Sequence, residues 1–370
     1  MGKNELIPKH ILALKPYVPG KLISEAMERY GLTHVIKLGS NENNLGPSPL
    51  ALAAMAKELT NLNRYGDVNS GKLRQALAEK LGLPLEYIIC CNGSSEFILI
   101  LCHSLIEPGD NVIMSKPSFT LYAKNALAAG AQAIEVPLVN YAHDLPTILS
   151  KVTPKTKLIF LDSPLNPTGA YIKPDVLWDF VAELPQSTML VLDEAYVDFV
   201  KDAPRPDYKA LIETEKVAIM RTFSKLYGLA GIRVAYALAP PFLVDMLNTV
   251  RQPFNVNNIA LVGAVAALDD VEHIRRTLNM TWEGLSFFQE EFRDLGLLTY
   301  PTEANFVMVD TGFMSAENMA GDLLQRGVIV RSLNSFGFKR KIRINAGLPD
   351  ENRELVKVVA SLIQQKIGLF

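Results

Sequence analysis

Apolar residues follow two rhythms along this chain. Between about residues 72 and 240, short continuous apolar runs recur, separated by longer amphipathic stretches. A short apolar run bounded by polar groups fits a strand buried on both faces, and its alternation with helical segments predicts a mostly parallel sheet covered by helices. Strands are expected at 87–91, 111–115, 133–136, 158–161, 189–192, 217–220 and 234–238. Gly93-Ser94-Ser95 opens a helix over 96–105, which stops at Pro108-Gly109-Asp110. Residues 257 to about 297 read as one long helical stretch. Beyond it, strands at 298–310, 328–332 and 341–345, with helices at 316–325 and 351–367, predict a small α+β unit. The expected fold is α/β, a seven-stranded sheet domain over 46–255 and a smaller domain from 1–45 and 256–370. No repeat or low-complexity linker separates the two, so they should pack tightly around a shared crevice.

Three of the expected strands run into polar groups. Residues 158–161 lead into Asp162-Ser-Pro-Leu-Asn-Pro-Thr-Gly169, 189–192 into Asp193-Glu-Ala-Tyr196, and 217–220 into Arg221-Thr-Phe-Ser-Lys225. Open parallel sheets bind ligands beyond the carboxyl ends of their strands, so Asn166, Asp193, Tyr196 and Lys225 are expected in one crevice. Lys225 lies between hydroxyl residues and eight positions before Arg233. A nearby cation disfavours the ammonium form, and a neutral amine can form a Schiff base with an aldehyde. The set suits pyridoxal phosphate. Asp193 would keep the pyridine nitrogen protonated, Asn166 and Tyr196 would bond the phenolic oxygen, and Lys225 would hold the aldehyde and later move a proton. Thr222, Ser224 and Arg233 would meet the phosphate, as would Ser94 and Ser95 at a helix amino terminus. Singly, each has an ordinary reading: a cap for Asp193 and the serines, core for Tyr196, a turn for Asn166.

The chain resembles the fold-type I pyridoxal-phosphate aminotransferases, and more narrowly the histidinol-phosphate aminotransferases. The resemblance rests on Leu14-Lys-Pro-Tyr-Val-Pro-Gly20, Leu38-Gly-Ser-Asn-Glu-Asn43, Asn63-Arg-Tyr65, Asn92-Gly-Ser-Ser-Glu96, and the three strand-end motifs. It continues through Arg251-Gln-Pro-Phe-Asn-Val-Asn257, Ala304-Asn-Phe306, Gly327-Val-Ile-Val-Arg-Ser332 and Ile342-Arg-Ile-Asn-Ala-Gly347, spanning nearly the whole chain. It implies a homodimer in which Tyr65 reaches the neighbouring subunit's cofactor phosphate, with Phe119 stacked on the cofactor ring. It also implies that Arg343 clamps the substrate's anionic group, with Arg331, Asn41 and Tyr17 nearby. Ser95, Leu165 and Gln252 depart from the usual acidic or amide residues at those positions. The implied reaction carries the amino group of histidinol phosphate to 2-oxoglutarate, giving imidazole acetol phosphate and glutamate in histidine biosynthesis. Three alternatives stay open: transamination of Phe or Tyr, decarboxylation of threonine phosphate, and a cofactor-binding module without turnover.

Composition narrows this little further. The chain has 370 residues, 49% hydrophobic and 21% charged, with a net charge of -2, which gives no case for nucleic acid or an anionic membrane. Its apolar runs are too short to span a bilayer, and the amino terminus lacks the apolar core of a signal peptide, so a cytoplasmic protein is expected. Cys90, Cys91 and Cys102 read as buried thiols of a reducing compartment, and His10, His34, His103, His143 and His273 lack metal-ligand spacing.

Overall fold

The computed structural model describes residues 6–16 and 20–367. Its large sheet contains β2 (Ile88–Cys91), β3 (Asn111–Lys116), β4 (Gln132–Pro137), β5 (Thr156–Asp162), β6 (Met189–Asp193), β7 (Val217–Thr222) and β8 (Ala235–Leu238), after a short β1 (Ile36–Lys37). The order is β2-β8-β7-β6-β5-β3-β4, and β8 alone runs antiparallel to its neighbours. All seven expected strands are present. Several reach further than their apolar runs, because the ladder continues through polar ends: β5 through Asp162, β6 through Asp193 and β7 through Thr222.

Period-two alternation divides the core. Ile159, Leu161, Leu190, Leu192 and Ile219 point to one face, whereas Leu158, Phe160, Val191, Ala218 and Met220 point to the other. Both faces are covered by helices, which is why the central strands contain few polar residues before their ends.

The small unit departs from expectation at three places. The expected helical stretch at 257–297 is two helices, Asn258–Asp269 and Val271–Asp294, because Asp270 accepts from the His273 N–H and starts a second cap. The first packs against Pro49–Glu58 and buries Ala260, Ala264 and Ala267 in the large-sheet core, although the expected boundary at 256 gives it to the small unit. The expected strand at 298–310 shrinks to β9 (Phe306–Asp310), with one isolated bridge at Thr299. The expected strand at 328–332 divides into β10 (Val328–Ile329), parallel to β1, and β11 (Arg331–Ser332), antiparallel to β12 (Lys341–Asn345). Helices Ala316–Gln325 and Pro349–Ile367 cover this unit's own core.

Candidate active site

Register builds the site. Asp162 pairs with Asp193 across β5 and β6, so two carboxylates emerge side by side at the carboxyl ends of adjacent parallel strands. Ala235 of β8 pairs with both Cys91 and Thr222, which puts the turn after β2 beside the Thr222–Lys225 segment. The small unit closes over this edge through Asn41, Arg343 and Asn345.

Lys225 is partly buried, with Nζ donating to the Ser40 carbonyl at 3.3 Å and lying 5.7 Å from the centre of the Tyr196 ring. Burial lowers its amine to about 8, with Arg343 the next cause and Arg233 a lesser one. The expected cause, Arg233 alone, is therefore corrected: the desolvating pocket and a cation distant in sequence come first. Asp193 is 5% exposed; Oδ2 accepts from the Tyr122 hydroxyl at 2.6 Å and Oδ1 from the Ala195 N–H at 3.0 Å. Burial pushes this carboxyl up to about 6, against the pull of those two hydrogen bonds.

Tyr196 is also buried, and its hydroxyl oxygen accepts from Asn41 Nδ2 at 2.9 Å. Burial pushes the phenol up to about 12. Asn166 Oδ1 accepts from Arg343 Nη1, and Arg343 Nη2 donates to the Gly39 carbonyl at 3.0 Å. The Arg343 guanidinium also lies 5.1 Å from the Phe306 ring centre.

On the other side of Lys225, helix Ser94–Leu105 begins after Gly93 at φ 76, with no side-chain cap on its first N–H groups. Arg233, at φ 58, passes so close that a Cβ on Gly93 would stand 2.2 Å from its Nη2. Arg233 Nη1 lies 3.4 Å from Ser224 Oγ, and the Thr222 hydroxyl accepts from the Ser224 N–H at 3.1 Å. A helix amino terminus, hydroxyls and a guanidinium are groups whose chemistry suits an anion.

Other expected residues fall differently. Asn41, at 1% exposure and φ 54, bonds Tyr196 and Asn345 and so braces the site. Arg331 pairs with Arg343 in register and places its guanidinium 5.8 Å from the Phe336 ring centre. Phe119 is partly buried and meets Tyr122 edge-on at 5.5 Å. Tyr65 is 84% exposed and stacks on Phe254 at 4.7 Å. Tyr17 lies outside the described residues. Sequence reasoning missed Tyr122, the partner of Asp193; its place at the start of the helix Leu121–Ala128, just after Phe119, was the available signal.

A model of the aminotransferase class I and II family matches residues 33–359. The histidinol-phosphate aminotransferase of Moorella thermoacetica is 42% identical over 95% of this chain and 92% of its own length. That of Desulfotalea psychrophila is 40% identical over 97% and 96%. The chain belongs to the histidinol-phosphate aminotransferase family. Among solved structures, the family member from Sinorhizobium meliloti, in complex with pyridoxal-5'-phosphate, superposes with a TM-score of 0.90 at 27% identity, covering 97% of this chain and 98% of that one. Membership accounts for the fold, with its mostly parallel seven-stranded sheet. Among the described residues, no helix is long and apolar enough to cross a membrane.

Proposed function

We propose that this chain transfers the amino group of histidinol phosphate to 2-oxoglutarate, giving imidazole acetol phosphate and glutamate, with pyridoxal 5'-phosphate as cofactor. The reading is supported by one cluster beyond the carboxyl ends of β5, β6 and β7: a lowered lysine amine, a buried carboxyl and, beside them, a helix start approached by Arg233, in a chain of this family. The donor set fits the cofactor. The uncapped helix start and the close approach of Arg233 to Gly93 suit a phosphate, Lys225 suits an aldehyde, and Asp193 suits a protonated ring nitrogen. When bound, pyridoxal phosphate supplies that aldehyde and a ring that accepts electrons from the carbon being deprotonated.

The residues divide the work by chemistry. Ser94, Ser95, Thr222, Ser224 and Arg233 hold the phosphate, and Phe119 covers the ring. Asp193, fixed by Tyr122, holds the ring N–H in place. Asn166 and Tyr196 donate to the phenolic oxygen. Lys225 Nζ would move the proton as a general acid and base. Arg343 and its neighbour Arg331 take the substrate's phosphate or the second substrate's carboxylate, because a planar guanidinium suits both anions. Tyr17 is assigned to the substrate's closing segment by family resemblance.

The homodimer belongs to the same proposal. Leu59 and Leu62 are 55% and 58% exposed on the stretch leading to exposed Tyr65, and Phe254 beneath Tyr65 is held at φ 58. An apolar surface with an aromatic at its edge suits a partner subunit, whose phosphate site Tyr65 would complete. A cytoplasmic setting agrees with three buried, free cysteines.

Single-turnover absorbance of the cofactor-loaded protein tests the assignment. Rapid loss of the lysine-bound absorbance is expected with histidinol phosphate and a much slower change with phenylalanine. Equal rates would make it a dual aminotransferase, and reaction with phenylalanine alone would overturn the proposal.

A further inference from the structure

Behind Asn166 lies a buried polar relay that none of these roles uses. Ser115 of β3, His143 in the loop after β4, and Asp162 at the end of β5 come together from three separate stretches. Ser115 Oγ lies 2.6 Å from His143 Nδ1, and His143 Nε2 lies 2.9 Å from the carbonyl oxygen of Asp162. A carbonyl can only accept, so Nε2 carries the hydrogen. In the neutral ring Nδ1 then accepts from the Ser115 hydroxyl. Burial favours that neutral ring by lowering His143 to about 4.

Asp162 passes the restraint onward: its Oδ2 accepts from the backbone N–H of Asn166 at 2.8 Å. Its Oδ1 has no hydrogen-bond partner among the described residues and lies 3.8 Å from His143 Nε2. A carboxyl that is 3% exposed with one oxygen unsatisfied is a costly way to fill a core, so packing alone does not account for it. Its Oδ2 hydrogen bond goes to the residue that also faces Arg343. Because Asn166 Oδ1 accepts from Arg343, the amide nitrogen is the end left to donate. The backbone bond to Asp162 and the side-chain bond to Arg343 thus fix Asn166 from opposite sides.

We propose that Asp162, held by His143 and Ser115, is a positioning residue that aims the Asn166 amide at the cofactor's phenolic oxygen. This rests on the assignment of Asn166 made above. Other titratable groups face the relay: Asp193 is beside Asp162 in register, Tyr122 and Tyr196 are within reach of the Asp162 charge when it is ionised, and burial pushes the Asp162 carboxyl well above the usual carboxylate range. The rival route therefore runs through Asp193, and a double-mutant cycle separates the two.

The readout is the pH midpoint of the visible absorbance change of the cofactor-loaded protein, with thermal unfolding measured in parallel. A donor to the phenolic oxygen favours its ionised form, so Asn166→Ala should raise the midpoint by about one pH unit. Asp162→Ala should raise it in the same direction by less, and should add nothing in the Asn166→Ala background. Asp162→Asn keeps an acceptor for the Asn166 N–H and should stay at the wild-type midpoint. If Asp162→Ala does not fold, His143→Gln takes its place, with a smaller rise that again vanishes in the Asn166→Ala background. An unmoved midpoint in Asn166→Ala would overturn the assignment of Asn166 and this proposal with it. A moved midpoint there, with none in Asp162→Ala, would overturn the positioning role alone. A full additional shift in the double variant would transfer the effect to Asp193, and a shift in Asp162→Asn equal to that of Asp162→Ala would make charge the cause. Either result overturns the proposal.

Discussion

Lys225 has to be a base in a setting crowded with cations. An amine desolvated by its pocket and repelled by Arg343 gives up its proton near pH 8, where an exposed lysine stays charged to about 10.5. Only the neutral amine attacks an aldehyde, so cofactor uptake by the ligand-free protein should speed up as pH rises through about 8 and then level off. Arg343→Gln should move that limb upward, toward the ordinary lysine value. Stopped-flow absorbance across pH measures both, and a limb near 10.5 in the wild type would refute the lowered amine. The stability consequence has a definite sign. Between about 8 and 10.5 the unfolded chain holds this proton more tightly than the folded one. Folding stability from this group therefore rises with pH across that window and is reduced below it.

The turn between β2 and helix Ser94–Leu105 shows how an element's end becomes a binding site. Gly93 has a φ that side chains rarely adopt, and the space its missing Cβ leaves is taken by Arg233. Gly93→Ala should therefore strain the turn and push the guanidinium away from the helix amino terminus. Loss of one charge-assisted hydrogen bond to phosphate would weaken cofactor binding by about 10- to 100-fold. Equilibrium dialysis measures this, and unchanged affinity would remove Arg233 from the phosphate site. A second element shows the same economy on the scaffold side. Glu194 follows β6 and receives Arg221 of β7 at 2.7 Å, both under 10% exposed, so the strands that lead to Asp193 and Lys225 are tied together at their ends.

At the scale of the whole molecule, the proposed site is divided between two folding units, and the proposed homodimer would divide it between two subunits as well. Arg343 comes from β12 of the small unit, yet it contacts Asn166 and lowers Lys225 of the large one. The two units also meet where Tyr141 packs on Tyr300 at 4.7 Å, with Lys341 Nζ 5.3 Å from the Tyr141 ring centre. If Tyr65 completes the partner's phosphate site, Tyr65→Ala and Lys225→Ala subunits should complement each other. Random mixing in a two-fold dimer would leave intact sites amounting to roughly a quarter of the wild-type number. Activity of the mixture against each variant alone checks this, and no recovery would place Tyr65 outside the neighbouring site.

Strand positions were legible in the sequence, because a parallel sheet buried on both faces demands continuous apolar runs, and the polar residues ending those runs marked the ligand edge. Lys225, Asp193, Tyr196 and Asn166 could be named for the same reason. The helix start at Gly93-Ser94-Ser95 was legible too, since a glycine turn opening a helix is a local event. What it did not contain was distance. Asp270 dividing a continuous helical pattern is a local cap that periodicity passes over, whereas the strand expected at 328–332 dividing between two sheets depends on partners far along the chain. So do Arg343 ahead of Arg233 as the cation acting on Lys225, Asn41 behind Tyr196, and Tyr122 on Asp193. Periodicity and motifs report what each segment prefers on its own. Hydrogen bonds and desolvation between segments exist only once the chain has folded, and these set the proton affinities on which the chemistry depends.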